Sequence, residues 1–166
     1  MHIRPLLKWR RCSAFFIIKK RTVIWLCGRL DATNVIPDPQ KLLAVFASVS
    51  MDHMAFLGDS LGQIAKEKAG IITQGCSVVT MEQREEVMDV FQKVCLEKQA
   101  VLTVSKPETA SSIHYGLEKQ TFLYRNRLPV TIRLAGNYQI TNALLALQED
   151  AVAAGLDPDV VQLHRA

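Results

Sequence analysis

An acidic residue followed by a histidine, Asp52-His53, is the first place in the chain where side chains could bind a ligand. The pair comes just after an apolar run over residues 44–49, which is short enough for a buried strand. Because open α/β sheets place ligand groups at strand ends, this pair predicts a metal and phosphate site. One histidine does not make a metal site, so a solvated or hydrogen-bonded His53 is the alternative.

A helix is predicted directly after this pair. Asp59 or Ser60 supplies its N-cap. Apolar residues then follow at helical spacing, namely Leu61, Ile64, Ala65 and Ala69. Lys68 falls near the C-terminal end of this helix. A cation there favours the negative end of the helix dipole, which accounts for Lys68 without any catalytic role.

Three strings of residues resemble, in order and spacing, the signature of folylpolyglutamate synthases and dihydrofolate synthases. They are Gly28–Asn34, Asp52–Ile71 and Gly136–Ala143. The resemblance covers about residues 22–157 and implies the later part of the ATP-binding central domain of that family, within the Mur ligase superfamily. Muramyl peptide ligases of the same superfamily are the neighbouring alternative, and the first string fits the folate enzymes better.

The resemblance implies an ATP-dependent ligase that joins L-glutamate to folate or dihydropteroate through an acyl phosphate. ATP and Mg²⁺ are the implied cofactors, since magnesium neutralises the charge that develops on phosphate oxygens. His53 matches a magnesium-ligand position. Lys68 matches the lysine that is carbamylated in this family, a modification that requires the neutral amine.

Four further residues match binding positions of the resembled family. Asp31 and Ala32 match positions near the pterin or folate substrate. Gln139 and Asn142 match the segment that approaches the nucleotide, where an asparagine amide offers both a donor and an acceptor to adenine. Helix capping is the alternative role for Gln139 and Asn142.

The chain also departs from the family pattern. No string of glycine, four residues, glycine, lysine and serine or threonine occurs in the 166 residues, so no phosphate-binding loop of that type is evident. Val23 stands where the family has a magnesium-binding glutamate, and Tyr138 replaces the usual histidine. These departures predict a truncated domain that is inactive alone, and they favour a non-catalytic remnant or interaction fragment as the alternative function.

The order of predicted elements indicates an α/β fold with a mostly parallel sheet flanked by helices, of the Mur ligase central-domain type and incomplete. The predicted strands and helices of this sheet are residues 22–26, 44–49, 61–69, 76–80, 82–98 and 100–104. Further along the chain, Thr121–Tyr124 and Val130–Leu134 predict a small antiparallel hairpin appended to the sheet, after a polar loop at Pro107–Ser112. Ile140–Ala154 predicts a helix closed by Gly155.

Composition and charge limit the other function classes. The chain has 166 residues, 49% of them hydrophobic, which predicts one globular domain. The first 30 residues hold eight of the twenty Lys and Arg residues and no Asp or Glu, so the net charge of +4 gives no evidence of nucleic acid binding by the body. The four cysteines lack zinc-ligand spacing and predict reduced thiols in an intracellular protein. No apolar run is long enough to span a bilayer.

Residues 1–21 carry seven Lys and Arg residues between apolar residues and no acid. We predict a basic extension outside the fold, followed by a partial central domain at residues 22–166. A mitochondrial transit peptide is the alternative for this extension, so the predicted location is the cytoplasm, with the mitochondrion as the alternative. Aromatic side chains in the extension could stack on bases, yet no nucleic-acid-binding module follows them. We therefore predict no nucleic acid and no membrane as partners, and the sequence leaves the oligomeric state open.

Overall fold

The structure is a computed structural model that describes residues 17–18, 21–24, 43–50 and 60–155. The chain divides into two compact units. Unit 1 comprises Met1–Val78 and Gln83–Leu102, and unit 2 comprises Val79–Glu82 and Thr103–Ala166. Three residues of the predicted sites lie outside the described residues, namely Asp31, Ala32 and His53.

In the part of the chain that the structure describes, the larger sheet has five strands, which lie side by side in chain order. They are β1 (Ile17–Ile18), β2 (Arg21–Ile24), β3 (Leu43–Phe46), β4 (Ser77–Met81) and β5 (Val101–Ser105). β1 pairs with β2 in antiparallel orientation, with Ile18 opposite Arg21. β2 runs parallel to β3, with Val23 opposite Leu43. The predicted α/β fold with a mostly parallel sheet is confirmed, although β3 is shorter than the predicted strand.

Two helices connect the later strands and build the core of unit 1. Helix α1 (Leu61–Ala69) lies between β3 and β4, and helix α2 (Glu85–Glu97) lies between β4 and β5, as in βαβ units. The four α1 residues predicted to face the core are all buried. Phe46 of β3 stacks on Phe91 of α2 with ring centroids 4.5 Å apart. The periodicity of α1 therefore predicted its buried face correctly.

The described residues of unit 2 contain a separate antiparallel sheet of three strands. A short 3₁₀ helix, Pro107–Thr109, precedes β6 (Ala110–His114), β7 (Gln120–Tyr124) and β8 (Leu128–Ile132). β7 is the central strand. The prediction of a hairpin is confirmed for β7 and β8, whose pairing places Phe122 opposite Val130. The hairpin belongs to this second sheet, however, and is not appended to the larger one.

The predicted polar loop at Pro107–Ser112 was wrong for its second half, because β6 begins at Ala110. β6 pairs with β7 through Ala110 opposite Tyr124 and Ser111 opposite Leu123. All five of its side chains are exposed or half-buried, so β6 lacks the apolar alternation of a half-buried strand. Hydrogen bonds to β7 make this segment a strand, although its own sequence does not predict one.

The last described helix, α3 (Tyr138–Ala153), packs on the second sheet. Ile140 and Leu144 of α3 share a core with Phe122 and Tyr124 of β7. α3 starts two residues before the predicted helix. Gly155 follows it with a φ of +67°, and its N–H donates to the Val152 carbonyl at 3.0 Å. A left-handed glycine ending the helix confirms the predicted stop. Among the described residues, no helix combines the length and apolar character needed to cross a membrane.

Candidate functional site

Lys68 lies in the last turn of α1 and is half-buried. It is four residues beyond Ile64 and three beyond Ala65, two buried residues of the same helix. Since residues at these spacings are neighbours on a helix surface, the aliphatic stem of Lys68 borders the buried stripe of α1. Lys68 is therefore presented by a helix that packs on the core of unit 1.

The opposite end of α1 is held by two side chains that accept from backbone amides. Ser60 is the N-cap, and its hydroxyl oxygen accepts from the Gln63 N–H at 3.2 Å. Oε1 of Glu86, on α2, accepts from the Gly62 N–H at 2.8 Å. The first N–H groups of a helix have no carbonyl partner within the helix. In α1, the N–H groups of Gly62 and Gln63 bond instead to side chains of unit 1. A carboxylate at this end also suits the positive pole of the helix dipole.

A glutamine side chain continues the hydrogen bonding of β3 beyond the point where the strand ends. Oε1 of Gln83 accepts from the Val49 N–H at 2.8 Å, and its Nε2 donates to the Ala47 carbonyl at 2.8 Å. The amide of Gln83 therefore pairs with one acceptor and one donor of the same backbone stretch, as a neighbouring strand would. This stretch leads toward Asp52 and His53, and the role of His53 stays a prediction.

Gln139 and Asn142 lie in the first two turns of α3. Gln139 is buried, with 7% of its surface exposed, and Asn142 is half-buried. They are three residues apart and so lie on neighbouring positions of one helix face. The N-cap of α3 is Asn137, so neither residue caps the helix and the capping alternative was wrong. The structure brings these two residues of the third string together.

Gln120 was not selected from the sequence, yet its side chain holds the connection between β8 and α3. Its Nε2 donates to the Leu134 carbonyl at 2.6 Å and to the Gly136 carbonyl at 3.0 Å. Gln120, Phe122 and Tyr124 are the buried residues of β7. A signal was available, since a glutamine at the first position of an alternating apolar series predicts a polar group on the buried face.

A second cluster of buried polar side chains is centred on Gln148 of α3. Oε1 of Gln148 accepts from the Tyr124 hydroxyl at 3.4 Å and from Nη2 of Arg125 at 3.3 Å. The neighbouring Glu149 is only 2% exposed. Burial, with a smaller contribution from the charge of Asp150, raises the pKa of Glu149 to about 7. This group of residues was not anticipated, because its members are far apart in sequence.

Potential metal ligands are sparse in the part of the chain that the structure describes. No three His, Cys, Asp or Glu side chains among residues 43–50 and 60–155 lie close enough to hold a metal ion. The magnesium prediction depends on His53 and is not tested by this arrangement. Cys76 and Cys95 are free thiols, as the cysteine spacing predicted, and both are buried. Burial, together with the nearby Cys76, raises the pKa of Cys95 to about 11.

The βαβ units of the larger sheet define an open-sheet α/β protein, a class in which ligands bind at the ends of strands. The sequence profile of the Mur ligase middle domain matches residues 38–148, which is more than half of the chain. The chain therefore belongs to the Mur ligase middle domain family.

Among curated relatives, the chain is 36% identical over 150 residues to a folylpolyglutamate synthase of Arabidopsis thaliana. This match covers 86% of the chain and 21% of the relative. It is 35% identical over 126 residues to a dihydrofolate synthetase of Saccharomyces cerevisiae, covering 75% of the chain and 28% of the relative. The chain thus spans less than a third of the length of these two relatives.

Solved structures give the same family. The apo form of L. casei FPGS matches with a TM-score of 0.68 and 26% identity over 81% of the chain and 34% of that protein. Mycobacterium tuberculosis folylpolyglutamate synthase complexed with ADP and AMPPCP matches with a TM-score of 0.63 and 30% identity, over 81% of the chain and 32% of that protein. An FPGS complex with AMPPCP and folate matches with a TM-score of 0.65 and 27% identity, over 78% of the chain and 33% of that protein.

Proposed function

We propose that this chain supplies the ATP-binding middle segment of a ligase that joins L-glutamate to folate or dihydropteroate. One observation carries the proposal: the chain is 36% identical to a folylpolyglutamate synthase over 86% of its length. The complexes of related FPGS proteins with AMPPCP, and with AMPPCP and folate, support ATP and a folate as ligands. The chain spans only 21% of that plant relative, so we assign to it one part of the activity. That part is nucleotide binding.

In this proposal Gln139 and Asn142 bind the nucleotide. Both side chains are amides, which carry a donor and an acceptor and can therefore pair with the complementary edge of adenine. Their neighbouring positions at the start of α3 allow both to contact the same ligand. The rigid packing of Ile140 and Leu144 on β7 would keep their orientation constant before ATP arrives.

Lys68 is proposed to become carbamylated. The neutral amine would form an N–C bond to CO₂ and lose a proton, which leaves an anionic carbamate at the end of α1. His53 is proposed as a magnesium ligand, and Asp31 and Ala32 are proposed to lie near the pterin. Magnesium, when bound, supplies positive charge to the phosphate oxygens of ATP. L-Glutamate is the amino-acid substrate of the proposed whole enzyme.

Isothermal titration calorimetry of the 166-residue chain with MgATP tests the proposal. We expect micromolar binding that Asn142→Ala weakens about tenfold, the effect of losing about 1.4 kcal/mol of hydrogen bonding. Asn137→Ala is the matched control. Asn137 is an exposed asparagine of the same helix end whose side chain makes no capping hydrogen bond. Its replacement should leave the affinity within about twofold.

Absence of binding heat from a chain with an intact circular dichroism spectrum would contradict the nucleotide-binding role. That result would favour the alternative function, a non-catalytic remnant or interaction fragment. A weakening of equal size in Asn137→Ala and Asn142→Ala would leave MgATP binding in place and contradict the specific role of Asn142.

A further inference from the structure

Gln120 occupies a core position at the end of the row of buried residues on β7. It is 2% exposed, and Phe122 and Tyr124 continue the same face toward the packing surface of α3. Its partner in the register is Ile132, the last residue of β8. The side chain therefore lies where β8 ends and the connection to α3 begins.

The Gln120 amide makes two hydrogen bonds to this connection. Nε2 donates to the carbonyls of Leu134 and Gly136, at 2.6 Å and 3.0 Å. The Gly136 carbonyl also accepts from the Gln139 N–H at 3.0 Å, in the turn that starts α3. A flipped amide would turn its oxygen toward two carbonyl oxygens, so the orientation of Gln120 is determined by its neighbours.

The backbone that Gln120 holds has a conformation that requires glycine. Gly136 has a φ of +109°, a conformation that favours glycine. A Cβ atom at this position would lie 2.6 Å from Cε1 of Tyr138, because the tyrosine ring folds back over the glycine. A shift of the Gly136 carbonyl would disturb the first turn of α3, because this carbonyl accepts from the Gln139 N–H.

We propose that Gln120 is a positioning residue for nucleotide binding. By holding the carbonyls of Leu134 and Gly136, it sets the start of α3 and thereby the directions of the Gln139 and Asn142 amides. Gln120 itself does not touch the nucleotide in this proposal. The inference rests on the proposed function, since it requires that Gln139 and Asn142 bind ATP.

The test compares Gln120→Leu with Gln148→Leu in the full chain. Gln148 is the matched control, because it is also 2% exposed and lies in the same unit. Its Oε1 accepts from the side chains of Tyr124 and Arg125, and so it does not hold the connection to α3. Both variants remove a buried amide and should lower the melting temperature.

Two readouts separate positioning from stability. Without nucleotide, hydrogen exchange at the Gln139 N–H should accelerate at least about tenfold in Gln120→Leu and change little in Gln148→Leu. In calorimetry, the Kd for MgATP should rise about tenfold in Gln120→Leu and stay within about twofold in Gln148→Leu. Gln120→Asn keeps the amide but withdraws it by one methylene group. Gln120→Asn should weaken MgATP binding as well. This variant tests the proposal if Gln120→Leu does not fold.

Wild-type affinity in the Gln120 variants, or equal weakening in Gln148→Leu, would overturn the positioning role while nucleotide binding itself stands. Unchanged exchange at Gln139 in Gln120→Leu would also overturn it. A wild-type chain that binds no MgATP would instead overturn the proposed function, and the positioning role with it.

Discussion

The buried carboxyl group of Glu149 should make the stability of this protein fall as the pH rises. Glu149 is 2% exposed, and its Oε1 has no hydrogen-bond partner in the described part of the chain. Burial raises its pKa from 4.5 to about 7, with a smaller contribution from Asp150. The folded state therefore binds a proton that the unfolded state releases between these pH values.

The sign and the size follow from proton linkage. A folded-state pKa above the unfolded value means that stability is fully present below about pH 4.5 and is lost as the pH rises to about 7. The difference between a pKa of 4.5 and a pKa of about 7 corresponds to about 3 kcal/mol of stability. Glu149→Gln keeps the shape of the side chain and removes the titration, so the variant should gain about this amount relative to wild type at pH 8.

Urea denaturation at about pH 4.5 and about pH 8 measures the effect. The difference in unfolding free energy between Glu149→Gln and wild type should grow by about 3 kcal/mol across this range. Glu108→Gln removes an exposed carboxyl of the same unit and controls for the change in net charge. A difference that stays constant with pH, or the same growth in Glu108→Gln, would show that burial of Glu149 does not cause the pH dependence.

Two further predictions concern the amide and hydroxyl groups that hold α1 and the end of β3. Ser60→Ala removes the acceptor for the Gln63 N–H and should lower the unfolding free energy by about 1 kcal/mol, measured by urea denaturation. An unchanged denaturation midpoint would contradict this capping role. Gln83→Leu removes both hydrogen bonds to Ala47 and Val49, should cost about 1–3 kcal/mol and should speed exchange of the Val49 amide. Slow exchange at Val49 in this variant would show that another group holds the segment.

Local patterns in the sequence predicted much of the fold correctly. The spacing of Leu61, Ile64, Ala65 and Ala69 predicted a helix and its buried face, and both are present. Ser60 was one of the two predicted N-caps, and Gly155 was the predicted stop of α3. These features depend on residues within one or two turns of each other, and so local sequence is sufficient to specify them. The family resemblance also came from three short strings, although the roles of Lys68, Gln139 and Asn142 remain proposals.

Tertiary structure alone decided the features that join distant parts of the chain. β6 is a strand because β7 pairs with it, whereas its own residues suggested a polar loop. Gln83 reaches back 36 residues to Ala47, and Gln120 reaches forward 16 residues to Gly136. Glu149 acquires its raised pKa only when folding removes water from it. The role of a buried amide or carboxyl depends on its hydrogen-bond partners and on its burial. Local sequence patterns encode neither of these, so the role is determined only in the folded chain.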